Sequence, residues 1–274
     1  MQLEFCILYH EVIFNLLKNK MFRVSCIQLR SNDDIKYNIT KTKILIHKAI
    51  KQKSDFILTP EVSSLFSLKK KDLLLKCKSM SEDHYLKEIK KLAKFYKKWI
   101  LVGSLIIKIG KKKLVNRSVL VNNKGKIHSF YDKIHMYDVV LSKKEKYTES
   151  KTFSSGKKLK TTKLPWGKLG MTVCYDLRFP GMYRKLAKLG SLFISVPSAF
   201  TETTGKKHWH SLLKARAIEN FCYIFAPAQA GTHYDGRKTF GHSLIISPDG
   251  KILKELRKNV GVITTSRRSK FFKK

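Results

Sequence analysis

Residues 169–180, L-G-M-T-V-C-Y-D-L-R-F-P, limit the fold more than any other stretch of the chain. Met171, Thr172 and Val173 make an apolar, β-type run that stops at Cys174. Pro180 then suits the first turn of a helix, because the N–H it lacks is one that a helix start leaves unpaired. A strand, an elbow and a helix therefore follow one another within this stretch. A side chain on such an elbow stands at the sheet edge, where backbone N–H groups can face a developing oxyanion. Cys174 is either a nucleophile or a buried structural thiol, and these residues alone support both readings.

The rest of the chain repeats the alternation of strand and helix. Met21 opens M-F-R-V-S-C-I-Q-L, a strand of the kind that begins a sheet. Residues 1–20 fit less well: they read as an extension ahead of a true start at Met21, or as a first helix with Phe5, Leu8, Val12, Phe14 and Leu16 loosely periodic. Residues 31–34 supply helix caps, and Ile35, Ile39, Ile46, Ala49 and Ile50 follow at helical spacing. A strand over residues 56–59 ends in Pro60 and Glu61. A carboxylate there is either an acid–base group or a loop charge. A helix over 83–97 sets Leu86, Ile89, Leu92, Ala93 and Tyr96 on one face. The strand beginning at Trp99 has Gly103 as a point of close approach. Two more strands, joined by a turn at 123–125, end at Lys133. Residues 140–156 read as a long polar loop containing Glu149, and long loops in compact domains tend to be functional. After Cys174, Met182, Leu186 and Leu189 mark a helix ended by Gly190. A strand follows, then a helix over 208–220 with Leu212, Leu213, Ala217 and Ile218 buried, another strand, and a hairpin from His242. With no repeat or linker, one α/β domain is expected after residue 20.

Charge is the feature most apt to mislead. There are 57 Lys+Arg against 20 Asp+Glu, a net +37. Such a balance suits phosphate neutralisation on nucleic acid, or a lysine-loaded enzyme surface. The lysines are spread along the chain, and Lys87, Lys90, Lys91, Lys94, Lys97 and Lys98 fall on solvated helix faces. No helix-turn-helix, zinc-finger or RNP pattern occurs, so no specific nucleic-acid partner is expected. Cys6, Cys26, Cys77, Cys174 and Cys222 are scattered and never spaced C-x-x-C. That favours a reducing, cytoplasmic setting without disulfides or a zinc site. His208 and His210 lack the spacing of a helical metal pair. No apolar run approaches the roughly 20 residues that span a bilayer, and Glu11 interrupts the apolar stretch 5–17, which has no cleavage site.

Three segments in order carry a family resemblance: T-P-E around Glu61, Y-D-K-I-H-M-Y-D-V around Lys133, and G-M-T-V-C-Y-D-L-R-F-P around Cys174. Together they resemble the Glu-Lys-Cys signature of the nitrilase superfamily, the carbon–nitrogen hydrolases, over nearly all of residues 22–264. V-P-S-A-F-T, L-L-K-A-R-A-I-E-N and A-Q-A-G-T-H followed by G-R-K-T-F-G-H-S are similar to its Nit branch. They stand closer to the deaminated-glutathione amidases than to the ω-amidases that act on α-ketoglutaramate. The resemblance implies a four-layer α-β-β-α sandwich, assembly into homodimers or higher oligomers, and no cofactor or metal.

It also implies a reaction: hydrolysis of a small ω-carboxamide to a carboxylate and ammonia, through a thioester on Cys174. Glu61 would be the general base, and Lys133 would stabilise the oxyanion with the backbone N–H of Tyr175. Glu149 matches a second glutamate that orients Lys133, or is a solvated loop acid. Arg178 would help make the pocket cationic for an anionic substrate, or form a salt bridge with Asp176 or another buried acid. The chain departs from the pattern at Val62, where Asn or Met is frequent, at His210, where an acid is common, and at Asp249, where Trp is usual. Its end, V-I-T-T-S-R-R-S-K-F-F-K-K, is expected to fall short of the final strand and tail of relatives.

Overall fold

In strands buried on both sides, successive residues enter different layers. β1 (Met21–Gln28) sends Phe22, Val24 and Cys26 into one core and Ile27 into another. β2 (Phe56–Leu58) divides in the same way, with Phe56 and Leu58 on one side and Ile57 on the other. The computed structural model describes residues 21–67, 69–110, 113–142 and 145–268. The extension expected at residues 1–20, Cys6 included, lies outside the described residues.

Two six-stranded sheets stack face to face. In the first, β16 (Gly261–Arg268), β1, β2, β3 (Trp99–Lys108), β4 (Leu114–Val121) and β5 (Ile127–Asp132) lie in that order. In the second the order is β15 (Ile252–Leu256), β14 (Ser243–Ile246), β11 (Tyr223–Ala226), β10 (Phe193–Ser195), β9 (Gly167–Met171) and β8 (Lys160–Leu164). Each sheet has three parallel strands at its centre, β1-β2-β3 and β9-β10-β11, and antiparallel strands outside them. Parallel neighbours require crossovers. Helices α1 (Ile35–Lys51), α2 (Lys70–Lys76) and α3 (His84–Tyr96) lie in those of the first sheet. Helices α4 (Pro180–Lys188) and α5 (Glu202–Asn220) make those of the second.

The layers follow from the side chains. Leu45, Ile46 and Ala49 of α1 and Leu86, Ile89 and Ala93 of α3 pack with Ile27, Ile57 and Val102. On the far side, Met182 and Leu186 of α4 and Leu213 and Ala217 of α5 pack with the second sheet. Between the sheets Phe22 stacks on Trp166 at 4.8 Å and meets Phe193 edge-on at 5.3 Å, while Phe56 meets Phe225 at 6.3 Å. Each buried ring contributes about 1.5–3 kcal/mol of transfer free energy. The architecture is the expected four-layer α-β-β-α sandwich.

Local signals also hold. Asp34 caps α1 by accepting from Lys36 and Tyr37 N–H, and Asp83 caps α3 by accepting from Leu86 N–H at 2.7 Å. Gly103 is a close approach: a Cβ there would lie 1.9 Å from the carbonyl oxygen of Thr59.

Other expectations are corrected. The polar stretch 140–156 is not all loop, because β6 (Asp138–Val140) and β7 (Lys146–Thr148) pair as a ribbon. A second ribbon, β12 (Ala230–Thr232) with β13 (Lys238–Phe240), occupies a turn-rich stretch. Helix α5 starts at Glu202, capped by Thr201, well before His208. Along its face Arg216 is buried, Leu212 is half-buried and Ile218 is exposed. Helix α4 ends before Leu189, which is exposed, and buries Tyr183. The end of the described chain forms a strand: β16 pairs with β1 from Gln28 opposite Gly261 to Met21 opposite Arg268.

Candidate active site

Both parallel cores direct their C-terminal ends to one cavity, the usual ligand position in open α/β sheets. Glu61 lies just past β2. Its turn is fixed by Val62 N–H donating to Ser104 Oγ at 2.8 Å and by Gln229 Nε2 donating to the Glu61 carbonyl at 2.9 Å. Val62 takes a left-handed conformation, φ 48°, so a β-branched residue follows the acid at a strained turn. Lys133 follows β5, and its N–H donates to the Asn116 carbonyl of β4 at 2.9 Å.

These side chains form one buried network. Lys133 Nζ donates to Glu61 Oε1 at 3.0 Å and to Glu149 Oε1 and Oε2 at 2.9 and 2.8 Å. Asn116 Nδ2 donates to the same Glu61 oxygen at 3.0 Å and to Glu149 at 3.4 Å. The other Glu61 oxygen accepts Ala199 N–H at 2.8 Å, and Glu149 accepts Tyr137 N–H at 2.6 Å. Glu61 and Lys133 are only 5% and 2% exposed. Buried ions persist where partners satisfy them. Burial alone would lower the Lys133 pKa, but the charges of Glu149 and Glu61 outweigh it and hold the ammonium well above the ordinary lysine value.

Cys174 comes from the other sheet. β9 ends at Met171, slightly before the elbow, and residues 174–178 form a single 3₁₀ turn ahead of α4. Cys174 has φ 49°, a left-handed conformation that is costly for a residue with a Cβ. Two anchors hold it there. Its N–H donates to the Pro197 carbonyl at 2.9 Å. Asp176, fully buried, accepts from Val173 N–H, from the Tyr131 hydroxyl, and from the backbone N–H and imidazole of His135 at 2.7–3.1 Å. Asp176 thereby ties the elbow to the segment carrying Lys133. Burial first, and then the negative charge of Glu61, push the Cys174 thiol well above its ordinary value, against the pull of Lys133. The resting group is a thiol beside a carboxylate.

Glu61, Lys133, Glu149, Cys174 and Tyr175 all line a cavity of about 260 Å³. A thiol, a carboxylate within its electrostatic reach and an ammonium together suit addition to a carbonyl and stabilisation of the oxyanion. Tyr175, second in the 3₁₀ turn, carries one of the N–H groups that such a turn leaves without an internal acceptor.

Arg178 is placed differently from either expectation. It does not line this cavity. Its guanidinium lies over the rings of Tyr175 and Phe200, at 5.8 and 5.5 Å, and donates to His208 Nδ1 at 3.2 Å. The expected pairing with Asp176 gives way to the clamp on Tyr131 and His135. Sequence reasoning missed Asn116, whose signal is a polar amide inside the apolar strand L-V-N-R-S-V-L-V, and the Ala199 N–H, which carries no side-chain signal. The acid missing at position 210 is supplied from β15: Glu255 accepts from His210 Nε2 at 3.1 Å and His242 Nδ1 at 2.6 Å. These three have ligand atoms within 4.8 Å of one another and could hold a metal ion, but none of them lines the cavity.

Among the described residues no helix is long and apolar enough to cross a membrane, and Cys26, Cys77, Cys174 and Cys222 are all free thiols. Residues 23–270 match the family model described as carbon-nitrogen hydrolase. A deaminated glutathione amidase of Yersinia enterocolitica is 38% identical over 241 residues, 85% of this chain and 82% of that protein. One from Dictyostelium discoideum is 36% identical over 90% of this chain and 88% of its own length. Among solved structures, the Caenorhabditis elegans NitFhit protein superposes with a TM-score of 0.85 at 29% identity, over 92% of this chain and 61% of that one. Saccharomyces cerevisiae Nit3 does so with a TM-score of 0.82 at 26% identity, over 92% and 91%.

Proposed function

The chain belongs to the carbon–nitrogen hydrolase family, and on that premise we propose that Cys174, Glu61 and Lys133 are its nucleophile, general base and oxyanion-stabilising group, acting on deaminated glutathione. One observation carries the assignment: a Glu61 oxygen 3.0 Å from Lys133 Nζ shares one cavity with the buried Cys174 thiol.

The thiol proton passes to Glu61 as sulfur attacks the amide carbon, because the elevated thiol pKa makes a standing thiolate scarce. The oxyanion of the tetrahedral intermediate meets the Lys133 ammonium and the Tyr175 N–H. Collapse breaks the C–N bond, Glu61 returns the proton to the leaving nitrogen, and a thioester remains on Cys174. Water then adds to the thioester as Glu61 takes its proton. Expulsion of the sulfur, reprotonated from Glu61, frees the acid. Glu149 holds Lys133 through both carboxylate oxygens and is a positioning residue.

The relatives named above support that choice of substrate. Glutathione is γ-glutamyl-cysteinyl-glycine, so the amide of its deaminated form leaves as cysteinylglycine, whereas a primary amide such as α-ketoglutaramate leaves as ammonia. We further propose one catalytic domain from residue 21 onward, cytoplasmic and assembled as a homo-oligomer.

The test offers deaminated glutathione and α-ketoglutaramate to purified protein, reading cysteinylglycine and ammonia, with Cys174→Ala as blank. Expected is release of cysteinylglycine, lost by at least about 10⁴-fold in Cys174→Ala, and an acyl adduct on Cys174 by intact mass. Faster turnover of α-ketoglutaramate would reassign the substrate. No turnover and no adduct from either would overturn the roles.

A further inference from the structure

The cavity is polarised. Its buried end carries Glu61, Glu149 and Lys133, and the remaining charged residues in its lining are Lys146, Arg237 and Lys238, all cationic. Lys146 and Lys238 are exposed and mark the mouth. Arg237 is held: Nε donates to Asp235 Oδ2 at 2.8 Å, and the guanidinium carbon lies 4.0 Å from the centre of the Phe66 ring. Phe66, 2% exposed, lies in turn face to face on His233, with centroids 3.7 Å apart and planes at 8°.

His233 completes the stack without adding charge. Its Nδ1 lies 2.8 Å from the Ser31 carbonyl and so carries the proton. Nε2 then accepts the Thr239 hydroxyl at 2.7 Å. Burial lowers its pKa to about 4, so the ring is neutral at pH 7 and does not repel the guanidinium behind Phe66. One end of that guanidinium is left over. Arg237 Nη2 is buried and has no hydrogen-bond partner among the described residues. An orphaned buried donor is costly unless a ligand brings an acceptor.

We propose that Arg237 binds a carboxylate of the amide substrate, fixing its charged end while the amide reaches Cys174. The planar guanidinium fork matches a carboxylate, the flanking lysines favour an anion, and the Phe66–His233 stack holds the fork in place. The proposal rests on the amidase reading. Deaminated glutathione has two carboxylates, one on its keto-acid end and one on its glycine end, and the chemistry of Arg237 fits either.

Binding separates these cases without turnover. Calorimetry on Cys174→Ala protein would compare deaminated glutathione with two analogues, one amidated at the keto-acid carboxylate and one at the glycine carboxylate. One analogue should bind roughly 10- to 100-fold more weakly than the parent, which identifies the end that Arg237 holds. Adding Arg237→Gln should reduce that preference to about twofold or less, and Arg237→Lys, which keeps the charge, should retain part of it. Equal weakening of all three ligands by Arg237→Gln, an intact preference, or no binding of the parent would each overturn the proposal. Wild-type turnover, measured in parallel, reports separately on the amidase reading. Turnover with a preference indifferent to Arg237 removes this proposal alone. A preference dependent on Arg237 without Cys174-dependent turnover removes the amidase reading alone.

Discussion

The two sheets contribute unlike things to one cavity. The first contributes charge: Glu61 past β2, Lys133 past β5 and Asn116 within β4 form a network joined by hydrogen bonds of 2.9–3.0 Å. The second contributes backbone geometry: a cysteine at φ 49° and the Ala199 N–H past β10. A left-handed non-glycine residue costs about 1–3 kcal/mol, and Asp176 and Pro197 hold Cys174 in that state. The buried charges sit on the first layer and the strained nucleophile on the second, although Val62 carries strain beside Glu61 as well, so the site exists only where the layers meet.

Four variants or conditions bear on that division. Glu61→Gln removes the charge that the first sheet contributes. It should lower kcat roughly 10²- to 10⁴-fold with an unchanged melting curve, as steady-state kinetics and thermal denaturation would show. A loss below tenfold would break the assignment of charge to that sheet. Phe193→Ala cuts the contact between layers and should cost about 3–5 kcal/mol. Denaturant titration measures this, and activity should disappear along the same curve, since the site is made by packing.

Asn116→Leu leaves Lys133 in place but removes a donor from both carboxylates. Loss of a hydrogen bond to a charged group predicts roughly a 10- to 100-fold fall in kcat/KM. An unaffected rate would show that Lys133 and the Ala199 N–H suffice to organise Glu61. The smallest effect concerns pH. His233 has its folded pKa depressed from 6.5 to about 4, so the unfolded chain binds more protons between those values and stability falls as pH falls through that window. From pH 7 to pH 5 this amounts to about 2 kcal/mol, and urea titrations of His233→Asn at both pH values should show a smaller difference.

What could be read from the residues follows the same division. Strand ends at Glu61 and Cys174 are visible because apolar runs stop there, and the one before Lys133 because a turn at 123–125 opens a second strand. Their joining in one site came from family resemblance, since no spacing in the chain brings β2, β5 and β9 together. Caps at Asp34 and Asp83, the close approach at Gly103 and the hairpin over β14 and β15 are local and were legible. Partner choice was not: Asp176 is as plausible beside Arg178 as beside Tyr131 and His135 until the elbow folds. Helix α5 was misjudged for a related reason. The hydrocarbon of Ile218 faces solvent while Arg216 is buried, its Nε donating to the Leu177 carbonyl at 3.0 Å, so tertiary contacts override the apolar pattern. Ribbon β6–β7 lacked the alternation that announces a strand.

The pairing of β16 with β1 has a consequence for synthesis. Met21 lies opposite Arg268, so β1 remains an edge strand of the first sheet until almost the whole described chain has been made. During that interval β1 presents unpaired N–H and C=O groups to its surroundings, the situation in which strands recruit wrong neighbours. Ribosome-bound chains lacking the last strand should therefore be the form most in need of chaperones. The same late pairing means that the layer carrying Glu61 gains its sixth strand only once residues 261–268 have emerged.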